Sequence, residues 1–488
     1  MKKNRSVSCL LTFGLGLIVT GCSVAEIHPL SDYAGDATIL RNALYELYPS
    51  IDRYDQEGDV QAALAELSDV AENAANDMEF YKAVVAVAVA TRDEHVIPFP
   101  PDSYREYRRN AAKKLPYTIV WRDFLPYIAS ISDPEYQEYV GAQVVEFDGV
   151  DAETIRDVLV PTIPSDGNSK TFALRHLQDF TPTQNENYFD LNYPIWFGEH
   201  DVYEISLLES ESNNETTLAL DALNWRDFSD YYRARLPRER PVTFRWIDNE
   251  VAYLEISSFH DWYYAEHDLN AKSEIQRIFS QIAQRGDTGL ILDLRRNEGG
   301  GDISSLLLDY LMTNMFKEYD TVLTRFVGRP DSATHCSNSE DVAFDPSWAK
   351  PRGDGLYELR AEFSSLITGA TERQPNSDRF SGALVVLISG STGSAAAKVS
   401  AMLTRRADTT FVGEETGGAA EGATAFGNCS LRLPKSGIVV DIPLIRFERK
   451  VNVPTGRGVL PDISTDVAKI GSSSDETLRT AIEVLRER

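Results

Sequence analysis

The sequence predicts a multidomain α/β protein: a helical N-terminal region, a small β-rich module and an α/β core. Three observations carry this. Residues 36–91 read as helices, because Leu40, Leu44, Leu47 and Tyr48 recur at 3–4 spacing and Phe80 to Ala90 is rich in Ala and Val with few breakers. From Leu115 to Leu208 the texture shifts to short alternating runs with Pro and Asp-Gly turns, among them Gly141 to Gly149, followed by a helix-like Ala152 to Val160. From Val242 onward, apolar strands at Val251 to Ile256, Gly289 to Leu294, Ala383 to Ile388, Thr410 to Val412 and Ile438 to Ile442 alternate with helical stretches, the pattern of an α/β core. The expected division is 22–114 helical, 115–208 β-rich, 209–241 a linker with an acidic and then Arg-rich run, and 242–488 the core, with an insertion at 320–378 read as a lid or as a structural excursion. The 141–160 segment faintly resembles the carboxylate-loop end of a PDZ-like module; a generic β-hairpin subdomain fits it as well.

The N-terminus carries an address. Met1-Lys-Lys-Asn-Arg5 is a basic start, and Leu10 to Val19 is an apolar stretch too short to span a bilayer. It ends in Val19-Thr20-Gly21-Cys22, which resembles the lipobox of bacterial lipoprotein signal peptides. The resemblance implies removal of residues 1–21, lipidation of Cys22 and a body held to the bacterial cell envelope by its lipid; Ser23 after the cysteine implies the outer membrane. With 48 Lys and Arg against 75 Asp and Glu, the formal charge near −27 argues against nucleic acid or an anionic membrane face as a partner. With Cys9 lost and Cys22 taken by lipid, Cys336 and Cys429 remain, and an exported chain is where one disulfide between them persists.

Chemistry is expected at the ends of the core strands. Gly289-Leu-Ile-Leu-Asp-Leu-Arg-Arg-Asn-Glu-Gly-Gly-Gly301 is a buried strand running into three glycines and a helix-like Ile303 to Met312. Such glycines let backbone amides converge on an anion, either a phosphate or an oxyanion, or simply make a strand-to-helix turn. The phosphate reading is weak without a following Gly-Lys-Ser/Thr. Leu384-Val-Val-Leu-Ile-Ser-Gly-Ser-Thr-Gly-Ser394 is the second such segment, and Ser394 opens a helix of small residues. There a serine is either an N-cap or a nucleophile.

The two segments together resemble the C-terminal-processing (tail-specific) and tricorn-core serine peptidase family. Asp293-Leu294-Arg295-x-Asn297-x-Gly299-Gly300 is similar to its Asp-Leu-Arg-x-Asn-x-Gly-Gly signature, and Ser394-Ala395 to the start of its Ser-Ala-x-Glu motif, with Ala397 in place of Glu. Gly413-Glu-Glu-Thr-Gly-Gly418 and Gly458-Val-Leu-Pro-Asp462 are similar to its Gly-Glu-x-Thr-x-Gly and Gly-Val-x-Pro-Asp turns. The resemblance covers residues 240–470 strongly. It implies a crotonase-like core of the ClpP/tail-specific protease type, a peptide or protein substrate, acyl transfer through Ser394, and an oxyanion hole from the amides of Gly300, Ala395 and Gly299. No metal or other cofactor is implied, since neither a His-Glu-x-x-His run nor a Cys/His cluster appears. Gly-x-Ser-x-Gly is absent, which disfavours a lipase or esterase.

The base departs from part of the family. The lysine that the processing proteases use would fall at Ala419, and no lysine lies between Lys398 and Lys435. Lys398, one turn beyond Ser394, is an alternative at a position the family does not use. Tricorn-like members use a histidine after an N-terminal helical region, and Thr91-Arg-Asp93-Glu-His95 is similar to their Asp-x-His motif, which makes His95 the expected base. Their third member, a glutamate, would fall at Asn452 or Val453, neither acidic, and Thr455 stands where many relatives have Glu. Glu415, Glu421 or a backbone carbonyl is left as the candidate orienter. The competing reading is a catalytically decayed peptide- or ligand-binding lipoprotein of the same fold. Cleavage preference, oligomeric state and any activating partner are not written in the sequence.

Overall fold

The structure is a computed structural model that describes residues 33–54, 58–178, 188–208, 214–233, 240–247, 250–286, 289–467, 470 and 474–487. The signal-peptide and Cys22 readings lie outside the described residues. Helices Tyr33–Leu47, Asp59–Asn73, Asp77–Ala90 and Asp102–Asn110 open the chain. The residues at 3–4 spacing, Leu40, Leu44, Leu47 and Tyr48, are buried in one cluster with Val84, Val85 and Ala88 of the third helix. Asn76 caps that helix by accepting from the amides of Met78 and Glu79. The chain then turns through Arg92, at φ 52°, into a short strand, Ile97–Phe99, that pairs antiparallel with Val439–Glu448. The turn that carries Asp93, Glu94 and His95 is therefore held at both ends.

The β-rich module is a sheet in the order Tyr117–Arg122, Leu125–Ile131, Gln143–Phe147, Val202–Leu208, Glu215–Asp221, with Val150–Asp151 beside the third strand. Helices Ala152–Leu159, Lys170–His176 and Tyr188–Phe197 contribute Ile155, Phe172 and Tyr193 to its core. The linker read at 209–241 is corrected here. Glu215–Asp221 pairs along the whole of Val202–Leu208, and Trp225–Arg233 is helical. The alternation in Glu-Thr-Thr-Leu-Ala-Leu-Asp buries Leu218 and Leu220 and exposes their neighbours, a period-two signal hidden behind a polar start.

The core sheet runs Val242–Ile247, Val251–Ile256, Gly289–Asp293, Leu384–Ile388, Thr409–Gly413, Ile463–Ser464; the first pair is antiparallel and every other pair parallel. Helices Ala271–Arg285, Ile303–Leu311 and Ser394–Leu403 pack on one face and Glu476–Arg486 on the other. That two-sided cover is why Leu384–Ile388 is apolar at every position and buried throughout. A third sheet is built on the hairpin Gly422–Arg432 and Val439–Glu448. The 320–378 insertion is woven into it: Thr321–Thr324 pairs with Val439–Glu448, and Tyr357–Leu359 and Ala349–Pro351 continue the sheet. A disulfide between Cys336 and Cys429 ties the insertion to the hairpin, with Cα atoms 5.2 Å apart.

Candidate active site

Neighbouring parallel strands of the core deliver two turns to one place. Leu384–Ile388 ends in a turn whose hydroxyls are pinned to the loop after Gly289–Asp293: Ser389 Oγ donates to the Arg295 carbonyl at 2.6 Å and Thr392 Oγ1 to the Leu294 carbonyl at 2.9 Å. Ser394 follows as the first residue of its helix, at φ 43°. A left-handed conformation is costly for a residue with a Cβ and persists only where the surroundings impose it. Part of that imposition is Glu94, whose Oε1 accepts from the Ser394 amide at 2.9 Å.

The glycine turn is organised by Asn297, which is fully buried. Its Nδ2 donates to the Ile256 carbonyl at 3.0 Å, its Oδ1 accepts from the Gly299 amide at 2.9 Å, and its carbonyl accepts from the Gly393 amide at 3.2 Å. Arg295, two residues before it, is buried between Asp293 and Asp475 and holds the strand end to the last helix. Gly299 has φ 113° and no room for a side chain: a Cβ there would lie 2.7 Å from Ser394 Cβ and 2.8 Å from the Ala395 nitrogen. Among the described residues the amides of Gly300 and Ala395 donate to no protein group, and both residues line the cavity beside Ser394. The Gly299 amide, expected with them in the oxyanion hole, is committed to Asn297 instead.

His95 enters from the N-terminal region. Its Nε2 lies 3.3 Å from Ser394 Oγ, between residues 299 apart in the chain. Its Nδ1 is 3.5 Å from Asp93 Oδ1, long for a hydrogen bond but close for a charge contact, and 3.9 Å from Glu94 Oε1. Asp93 is held in turn: Oδ1 accepts from the His95 amide at 2.9 Å, and Oδ2 from the hydroxyls of Tyr48 at 2.6 Å and Thr424 at 2.5 Å. Asp166, also buried, accepts from the amides of Glu94 and Ala419, each at 3.1 Å. Asp93, His95 and Asp166 each offer a possible ligand atom, all within 4.8 Å of one another, and the carboxylate oxygens are already engaged by these donors.

Three carboxyls around one imidazole shape its titration. Burial would raise the Asp93 carboxyl, but the contact and charge of His95 and the Thr424 and Tyr48 hydroxyls hold it below the ordinary range. Burial and then the charge of Asp166 push Glu94 up to about 8, and burial and then Asp93 push Asp166 up to about 6. Burial would lower the His95 imidazole; the Asp93 contact and the charges of Glu94, Asp93 and Asp166 outweigh it and carry it up to about 9.

The expected orienters are elsewhere. Glu415 pairs with Arg457 at 2.6 Å and accepts from the Gly458 amide, and Glu421 accepts from the Tyr54 hydroxyl at 2.9 Å and the Gly456 amide at 2.8 Å. Both brace the loop 454–458, and the carboxylate that faces His95 is Asp93. Lys398 is bound to Glu318 Oε2 at 2.6 Å and Ser305 Oγ at 3.1 Å in a buried pair, which removes it as a base for Ser394. Sequence reasoning passed over Glu94 and Asp166; the Asp-x-His spacing was the signal for Asp93.

The whole chain resembles mature CPAF in its crystal structure, with a TM-score of 0.60, 15% identity and coverage of 93% of this chain and 95% of that one. Mature CPAF complexed with lactacystin superimposes alike, with a TM-score of 0.60, 15% identity and coverage of 93% and 97%. At this identity the likeness is one of fold. No curated protein matches the sequence. Residues 250–465, the segment that holds the glycine turn, Ser394 and the hairpin, match the model of peptidase family S41, and over this segment the α/β core is similar to that family.

Proposed function

We propose that the chain is a serine endopeptidase that hydrolyses peptide bonds by acyl transfer through Ser394, with His95 as general base and Asp93 as the carboxylate that orients it. The observation that carries the proposal is the 3.3 Å approach of His95 Nε2 to Ser394 Oγ, made by two segments with no local reason to meet. His95 takes the serine proton as Oγ attacks the carbonyl carbon and returns it to the leaving amine; water then repeats the cycle on the acyl-enzyme. The Gly300 and Ala395 amides receive the oxyanion, a contribution of about 3–4 kcal/mol per donor in comparable sites. The lipobox-like Val19 to Cys22 supports anchoring to the cell envelope.

Mass spectrometry after a fluorophosphonate probe tests the nucleophile. An adduct on Ser394 is expected in the wild type and in neither Ser394→Ala nor His95→Ala. A folded protein that takes no adduct would make this a binding protein of the same fold, and an adduct that survives loss of His95 would mean another base.

The carboxyls around His95 add a second expectation. A general base must be neutral, and His95 is protonated below about 9, so kcat/KM rises with pH up to that region. Glu94→Gln keeps an acceptor for the Ser394 amide and removes a negative neighbour, which shifts the profile to lower pH by about one pH unit. A wild-type profile that levels near the ordinary histidine value, or one that Glu94→Gln leaves in place, refutes this electrostatic account.

A further inference from the structure

The cavity beside Ser394, about 230 Å³, has Tyr319 and Phe447 in its wall together with two cations, Lys398 and Arg449. Both cations approach the Tyr319 ring, Lys398 Nζ at 5.7 Å and Arg449 Cζ at 5.5 Å from its centre. Their situations differ. Lys398 has a carboxylate, Glu318, whose Oε2 also accepts from Ser305 Oγ at 2.9 Å, while Arg373 stands 3.9 Å from Oε1. Arg449 is 5% exposed, and its side chain makes a single hydrogen bond among the described residues, from Nη1 to the Ala420 carbonyl at 3.0 Å. Its Nε is buried with no partner, and no described carboxylate lies within ion-pair distance of it.

The charge of Glu318 reaches Arg449, but that carboxylate is bound to Lys398 and makes no ion pair with the guanidinium, and the other neighbours are engaged as well. Glu448 pairs with Arg446, Glu421 stands 3.5 Å from Arg53, and Asp302, on the exposed rim of the cavity, accepts from Thr368 Oγ1 at 3.0 Å. In a chain with 75 acidic and 48 basic residues, a buried arginine left without a carboxylate stands against the charge balance. Burying such a charge with no paired carboxylate is expensive, and a guanidinium recovers most when a carboxylate meets its planar fork.

We propose that Arg449 is a specificity-determining residue and that the cavity receives an acidic side chain, Glu or Asp, of the peptide lying across Ser394. This rests on the peptidase reading in placing a peptide there. The substrate class is then an acidic peptide. The side-chain carboxylate meets Arg449 over the apolar wall of Tyr319 and Phe447, and the adjacent carbonyl faces Ser394.

The test is a binding titration of the full chain carrying Ser394→Ala, so that it does not depend on catalysis. Two blocked pentapeptides of alanine are compared, one with Glu and one with Gln at the centre; having a single larger side chain, each settles with that residue in the cavity. Glu is expected to bind about tenfold tighter or more. Arg449→Gln in the same background should bring the two peptides together, and Arg449→Lys should retain part of the preference. Equal affinities, no binding of either peptide, or a preference that survives Arg449→Gln would overturn the proposal. The Glu-to-Gln ratio with Arg449 in place decides the matter even if an Arg449 variant does not fold, and fluorophosphonate labelling of the wild type reports separately on the nucleophile.

Discussion

Asp93→Asn is expected to lower kcat roughly 10⁴-fold, the scale of replacing the carboxylate of a serine–histidine–carboxylate relay by its amide. Asp93 is the group that Nδ1 of His95 faces, at 3.5 Å, and that nitrogen has no hydrogen-bond partner among the described residues. The remaining oxygen is saturated by the Tyr48 and Thr424 hydroxyls, so the carboxylate cannot swing away from the ring. In the proposed mechanism, an asparagine offers no charge to the imidazolium that would form as Ser394 attacks. If its amide nitrogen faces Nδ1, the ring is also pushed into the tautomer that protonates Nε2 and cannot accept the serine proton. The loss should fall on kcat and leave KM nearly unchanged, because Asp93 is buried and reaches substrate only through His95. Steady-state kinetics with a thermal melt of the variant checks this; activity within tenfold of wild type would remove Asp93 from the mechanism.

Gly299→Ala is expected to cost 10²-fold or more in kcat/KM without unfolding the chain. The added methyl has to enter space held by Ser394 Cβ at 2.7 Å and the Ala395 nitrogen at 2.8 Å, from a backbone at φ 113° that alanine rarely adopts. Relief comes by moving the nucleophile or the helix start that carries the Ala395 amide, and about 1 Å of displacement there is worth a hundredfold. The same change is expected to disturb the Gly299 amide bond to Asn297, and the Gly300 amide proposed for the oxyanion to shift with it. The rate of fluorophosphonate labelling at Ser394 measures the effect independently of substrate. A variant that labels within a few-fold of wild type would show that the glycine turn and the serine are not mechanically coupled.

What the sequence by itself determined was local. A run of five apolar residues ending in small ones specifies a buried parallel strand feeding a turn, and both Ser394 and the Gly299-Gly300 turn were legible because strand, turn and helix start lie within a dozen residues of each other. The Asp-x-His spacing pointed to His95 for the same reason. The carboxylates that the sequence offers downstream of the serine, Glu415 and Glu421, are tied to the loop 454–458. Asp93 was visible in the Asp-x-His spacing, but its place facing His95 and the part of Glu94 and Asp166 were decided by tertiary structure, since nothing in a linear pattern says that residues 48, 93, 166 and 424 share one buried space. The strand at 215–221 and the weaving of 320–378 into the hairpin sheet are of the same kind: a short polar-edged strand acquires its state only from the partner it pairs with. Arg449 shows the limit most sharply, because a single arginine in a sequence carries no sign of whether a carboxylate will reach it. Periodicity and backbone sterics act over a few residues and can be read in order, whereas the pairing of buried charges depends on distances of a few ångströms between segments that only the completed fold brings together.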